Sequence, residues 1–267
     1  MPWTLIVKAV AAHTDQPWVL LYVKRWLQAP LQRPDGTLQQ RDRGTPQGSA
    51  VSPVLANLFL HYALDAWMAR EHPTVRLERY VDDAVVHCVS ERRARRLAMA
   101  IADRLAEVGL RLHPTKTRIV YCKDGKRRLD HEHTSFTFLG FTFRARKARG
   151  TNGRNFTSFQ PAISNDAVHK ASAQVRSWRL HRRTGHTLTE LAHAINPIVR
   201  GWMQYYGAFY SSALHPLLKR INAYLPCWLR KKYKRLHGYK RAKRCWDGIT
   251  RRDPGMFAHW QWNRAAW

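Results

Sequence analysis

Two adjacent acids, Asp82 and Asp83, sit in the stretch RYVDDAVVHC between two runs of apolar, β-branched residues. The flanks read as strands and the acids as the tip of the hairpin that joins them. Asp is common in turns, so the pair alone is compatible with an ordinary turn. Its surroundings point to chemistry. Apolar flanks imply a half-buried hairpin whose tip is held rigidly. Neighbouring carboxylates repel each other, and a bound cation relieves the repulsion. The chain holds 46 Lys and Arg against 18 Asp and Glu, a formal charge of +28. An acidic pair in so basic a chain calls for something that the acids bind. A hard cation such as Mg²⁺ prefers carboxylate and phosphate oxygens. Paired ions of this kind stabilise both the attacking and the leaving oxygen in phosphoryl transfer. Such a centre needs a further carboxylate from another strand.

A second stretch, RGTPQG at 43–48, precedes an amphipathic run. Gly44 and Gly48 permit a tight loop close to a ligand. The helix start that follows offers free N–H groups to phosphates or bases. An ordinary turn and helix entry explains the same residues.

The elements that must position these groups read as mixed α+β. Residues 4–28 form two helices, the second with Asp15 as its cap and Pro17 in its first turn. LQRPDGTLQ is a hairpin turning at Pro34-Asp35-Gly36. Ser52 is placed to cap the next helix and Pro53 suits its first position. Leu55, Leu58, Phe59, Tyr62 and Ala66 follow at helical spacing. Ser90 caps another helix, with Leu97, Ile101, Leu105 and Val108 on one face and Gly109 at its end. TRIVYC and FTFLGFTF alternate as strands.

The basic loop RARKARGTNGR, near residue 150, is the expected domain boundary, and the chain beyond it reads as mostly helical. Val168, Ala171, Val175 and Trp178 share a face. TLTE at 187–190 fits a capping box. Leu191, Ile195, Ile198, Trp202, Tyr205 and Phe209 form a stripe bent at Pro197. The run LRKKYKRLHGYKRAKRCW interleaves cations with aromatics, and part of it is expected to order only on RNA.

These numbers bound the function. With 267 residues and 45% hydrophobic content, the chain can bury a real core. Its charge calls for a polyanion, with nucleic acid first, because neutralised phosphates release counterions. No apolar run reaches the roughly 20 residues of a membrane span. No cationic leader precedes a cleavage site. Cys88, Cys122, Cys227 and Cys245 form no CxxC pair, which excludes a zinc knuckle and leaves buried free thiols in a reducing cytoplasm as the expectation.

RGTPQGSAVSPVLANLFL followed by RYVDDAVV resembles the reverse transcriptases encoded by group II introns. LAEVGLRLHPTKTRIV resembles the next palm element, FTFLGFTF the primer-grip hairpin, and INPIVRGWMQYYGAFY the thumb, or maturase domain X. The likeness runs in order through about the first 235 residues, which no single motif would make specific. It implies an incomplete right-hand palm at 1–150, an α-helical thumb/maturase domain at 151–235, and a basic aromatic tail at 236–267. It implies that Asp82 binds catalytic Mg²⁺ with Asp83 beside it, and that Tyr80 sits near the primer end. Gly44, Thr45, Pro46, Gln47 and Gly48 would line the nucleotide pocket, and Lys116 would meet nucleotide phosphates or remain a solvated lysine. Trp202, Tyr205 and Tyr206 divide between core and RNA stacking. Arg230, Lys231, Lys232, Lys234 and Arg235 would hold RNA.

The family carries another catalytic Asp, in a strand ahead of the first helices. Neither Asp15 nor Asp35 has that context. The resemblance therefore implies that the fingers and first palm motif are absent, and that the chain is the downstream piece of a frameshifted or truncated mobile-element gene. A truncated palm would expose a sheet edge prone to aggregation. Three functions follow as alternatives. The first is an RNA-directed DNA polymerase, active on primer-template and deoxynucleotides only when an upstream fingers–palm fragment completes it. The second is a non-catalytic maturase-like protein that holds intron RNA during splicing. The third is a decayed remnant.

Overall fold

The structure is a computed structural model that describes residues 1–46, 48–127, 129–150 and 153–262. The chain divides into two compact units, Met1–Ile119 and Val120–Trp267. The expected boundary near residue 150 falls instead inside a hairpin, where Arg149 pairs with Asn155.

The first unit opens with α1 (Trp3–Ala11) and α2 (Pro17–Gln28). The N-cap position of α2 is Gln16, without a side-chain bond, so Asp15 is not the cap. β1 (Leu31–Gln32) and β2 (Leu38–Gln39) pair across a turn in which Asp35 accepts from the Thr37 backbone and hydroxyl. Next come α3 (Ser52–Leu60), a single π-helical turn (His61–Asp65) and α4 (Ala66–Glu71). The π turn inserts an extra residue into the helical repeat, so the apolar face changes phase. Leu55 and Phe59 are buried as their spacing predicts, but Ala63, Leu64 and Met68 continue the core in place of Tyr62 and Ala66. Tyr62 turns outward to a 2.9 Å hydrogen bond with His13 Nε2. β3 (Arg76–Tyr80) and β4 (Asp83–His87) form the predicted hairpin. α5 (Glu91–Glu107) is capped by Ser90, whose hydroxyl accepts from Arg93 N, and ends at Gly109, φ +71°. Leu97, Ile101, Leu105 and Val108 are all buried, in one core with Ile6, Leu27, Leu55, Phe59 and Met68.

TRIVYC forms no strand. Thr117 N donates to His113 O, Tyr121 N to His133 O, and Tyr121 O accepts from Lys123 N; without a ladder partner an apolar alternation does not become a strand. In the second unit, β5 (Ser135–Phe138), β6 (Phe141–Arg149) and β7 (Asn155–Ile163) make an antiparallel sheet in sequence order. Helices α6 (Asn165–Ser177), α7 (Leu188–Tyr210), α8 (His215–Lys232) and α9 (Tyr239–Arg252) follow. The capping box at α7 is present: Thr187 Oγ1 accepts from Glu190 N, and Glu190 accepts from Thr187 N.

α7 runs through Pro197 as one helix and buries Leu191, Ile195, Val199 and Met203. The expected stripe is thus right at its start and rotated beyond the proline, leaving Tyr205 and Phe209 exposed. The described part of the expected tail, 236–262, packs into the second unit's core. Trp246, Phe257, Ala258 and Trp260 are buried with the α7 and α8 residues of the second core. The run LRKKYKRLHGYKRAKRCW falls largely in α8 and α9 and is helical there. Cys88, Cys122 and Cys245 are half-buried and Cys227 is exposed, and all four are free thiols.

Candidate metal and nucleic-acid site

The β3–β4 ladder closes at Tyr80 opposite Asp83, so Val81 and Asp82 form a two-residue turn. Val81 has φ +57°, a left-handed conformation that a β-branched side chain enters only when the surroundings hold it there. What holds it is Arg79. Its Nη1 donates to Val81 O at 2.7 Å and to Asn57 Oδ1 at 2.9 Å. Its Nε and Nη2 make a fork with Asp65 at 2.7 and 2.6 Å. The two side chains are 12% and 28% exposed. Hydrogen bonding to Asp65 first, and the negative charge of Asp65, push the Arg79 pKa up against the opposing effect of burial. One guanidinium therefore ties α3, the π turn and the hairpin tip together. The π turn matters here because the change of phase brings Asp65 to that fork.

Asp82 and Asp83 are exposed at this tip, and their carboxylates make no hydrogen bond or ion pair among the described residues. Unpartnered adjacent carboxylates on a braced turn suit a hard cation in donor type. They do not complete a site: no group of three or more His, Cys, Asp or Glu is placed to hold a metal ion among the described residues. Tyr80, at the end of β3, is 60% exposed.

The strap 43–48 is anchored at its start. Pro2 bridges Arg43, Gly44 N donates to Met1 O at 2.8 Å, and Trp3 Nε1 donates to Gly44 O at 2.8 Å. Gly44 and Gly48 have φ of +75° and +83°, and a Cβ on either would meet nothing within 4 Å. Glycine is required there by backbone conformation, and the space above it is open. Thr45 and Pro46 are half-buried. Gln47 lies outside the described residues. Ser52 is not the cap of α3, since Val51 occupies that position; the Ser52 hydroxyl donates to Pro46 O and pins the strap to the first turn. Asn57 lies five residues along α3, about 8 Å by helical rise, so the same short helix carries both the strap and the brace of the acidic tip. Lys116 is exposed in the turn closed by Thr117 N to His113 O, and the structure joins it to neither carboxylate.

In the second unit, Trp202 stacks on Trp178 at 5.7 Å and 17°. The Tyr206 hydroxyl stands where a Cβ on Gly140 would meet it at 3.1 Å. Tyr205 donates to Leu139 O at 2.9 Å and packs on Phe141, yet stays half exposed. Of the five cations named in the basic run, Arg230 Nε donates to His237 O and Lys232 Nζ to His186 O, and Lys232 also lies 5.3 Å over the Trp228 ring. These two have internal structural work. Lys231, Lys234 and Arg235 are exposed.

The brace of Arg79, Asp65 and Asn57 was not read from sequence. Its one signal is an arginine close before the acidic pair, which needs a carboxylate when half-buried.

A small antiparallel hairpin with a braced acidic tip, and a helical, strongly basic second unit, are the plan of part of a polymerase palm joined to a helical domain. Residues 1–143 match the family model of reverse transcriptase (RNA-dependent DNA polymerase). That match covers more than half of the chain, and the chain belongs to this family. Residues 168–246 match the maturase-specific domain of group II introns, which makes it a reverse transcriptase/maturase. No curated protein matches it. No helix among the described residues is long and apolar enough to cross a membrane.

Proposed function

We propose that the chain binds group II intron RNA through its second unit and contributes Asp82 and Asp83 to a Mg²⁺ site for RNA-directed DNA synthesis. The observation that carries the catalytic part is the pair of exposed, unpartnered carboxylates on a tip braced by Arg79. Mg²⁺ bound there would offset charge on nucleotide phosphates. The chain's own residues do the rest. Arg79 fixes the tip, Gly44 and Gly48 leave open space above the backbone on either side of the strap, and Tyr80 presents an exposed ring at the end of β3. On this reading the pair works with a further carboxylate supplied by a fingers–palm polypeptide, as two-metal phosphoryl transfer requires.

The test is primer extension on an RNA template, with and without a fingers–palm polypeptide from a group II intron reverse transcriptase added in trans. The expected result is extension only with the added polypeptide, abolished by Asp82→Asn. Extension that survives Asp82→Asn would overturn the assignment. A second function, intron RNA binding that assists splicing without synthesis, is favoured by the exposed Lys231, Lys234 and Arg235 of the maturase domain. It predicts that Asp82→Asn leaves RNA affinity unchanged.

A further inference from the structure

Helix α2 is apolar on both sides. Its inner face buries Val23 and Leu27, with Val19 and Leu20 packed against the same core. Its outer face carries Trp18, Leu21, Tyr22 and Trp26, which are 61, 45, 46 and 45% exposed. A surface helix normally gives that side to charged and polar residues. Four large apolar side chains there mark an interaction surface. Trp18, Tyr22 and Trp26 recur at steps of four, so they align along one face over about 12 Å of helix axis. The Tyr22 and Trp26 rings are 6.1 Å apart, and the Arg25 guanidinium lies 5.9 Å over Tyr22. The helix carries Lys24 and Arg25 and no acid.

We propose that this face is a track for single-stranded nucleic acid, whose unpaired bases stack on Trp18, Tyr22 and Trp26 while Arg25, three residues from Tyr22 on the same side of the helix, meets its phosphates. The proposal rests on the nucleic-acid-binding reading above and adds a site to it. Aromatic faces interleaved with cations bind unpaired bases with little sequence preference. Charge decides the occupant. A second copy of the chain would set +28 against +28, whereas a polyanion is attracted. The track is long enough for roughly three to four bases stacked 3.4 Å apart. A duplex keeps its base faces inside the stack and has nothing to offer these rings. The track also leads toward the strap: Arg41 Nη2 donates to Leu27 O and Ala29 O at 2.9 Å each, holding the chain just before residues 43–48 against the C-terminal end of α2.

The experiment titrates the full chain and its Trp18→Ala/Tyr22→Ala/Trp26→Ala variant with oligouridine RNA and with an RNA duplex of equal length. The expected result is a roughly 10- to 100-fold loss of oligouridine affinity, with duplex affinity unchanged. The wild-type chain is also photocrosslinked to 4-thiouridine RNA and digested, which does not depend on the variant folding; crosslinks in the peptide spanning 17–28 are expected. Wild-type binding with no such crosslink, or with oligouridine affinity equal in the variant, overturns the track. A variant that also loses self-association in sedimentation while keeping its RNA affinity assigns the face to a polypeptide instead. A wild-type chain that binds neither RNA defeats the nucleic-acid reading itself.

Discussion

Replacing Arg79 with Ala removes the bonds by which its guanidinium holds the acidic tip to the helices behind it. The variant deletes the two-bond fork to Asp65 and the bonds to Asn57 Oδ1 and Val81 O. It leaves the Asp65 carboxylate, 28% exposed, with only the His61 ring, Nδ1 at 3.6 Å, beside it among the described residues. Fully buried pairs cost about 3–5 kcal/mol when one partner is removed, and exposed pairs about 0–1 kcal/mol. With 12% and 28% exposure the Arg79–Asp65 pair lies between these limits, and about 2–3 kcal/mol is expected. For a unit of this size that is a fall in Tm of about 8–12 °C. The left-handed Val81 also loses the bond to its carbonyl, so the tip should loosen before the unit melts. The assay is thermal unfolding by circular dichroism, together with amide hydrogen exchange across residues 76–87. Asp65→Asn, which keeps the shape and loses the charge, should fall part of the way. If Arg79→Ala melts within a degree of wild type and exchange at the hairpin is unchanged, the brace is not what holds the carboxylates.

His259 has no exposed surface, and burial pushes its pKa down to about 4. The unfolded chain takes up that proton near the ordinary 6.5, so stability is full above about pH 6.5 and is lost as pH falls toward 4, by about 3 kcal/mol. Urea midpoints measured across that range should drop for wild type and stay flatter for His259→Gln, which keeps a donor for Asn222 Oδ1, now 2.6 Å from His259 Nε2. Trp246→Ala should cost about 3–5 kcal/mol in the same measurement, because this side chain is fully buried; a marginal effect would restore the view of a loose tail. Lys231→Ala/Lys234→Ala/Arg235→Ala should reduce the slope of log affinity for single-stranded RNA against log salt by about 2 without lowering Tm. Lys232→Ala should lower Tm, because it loses the bond to His186 O.

The hairpin at 76–87, the α5 helix with its Ser90 cap, and the capping box at Thr187 were legible because each is set by neighbours in the chain. The acidic pair was legible for the same reason. What was not legible depends on distant partners. The π turn at His61–Asp65 carries no local mark that the helical repeat gains a residue there, yet it decides that Ala63 and Met68, not Tyr62 and Ala66, reach the core. TRIVYC alternates like a strand, but alternation cannot supply a ladder partner. The charge of LRKKYKRLHGYKRAKRCW suggests disorder, because its buried residues, Leu229 and Trp246 among them, are spread thinly between cations. Beyond Pro197 the aromatic spacing of α7 mimics a core stripe, while the smaller Val199 and Met203 are the side chains that the core takes in. At the site, two carboxylates side by side could be read directly. The arginine that braces them draws its partners from 14 and 22 residues away, and no spacing rule joins those positions.

The central claim is tested most directly by equilibrium binding of the chain to a group II intron RNA, measured at low and high salt beside its Asp82→Asn variant. The account predicts tight binding at low salt that falls steeply as salt rises, identically for both proteins, since the acids serve synthesis and the cations serve binding. Binding that is insensitive to salt, or that is lost in Asp82→Asn, would contradict it.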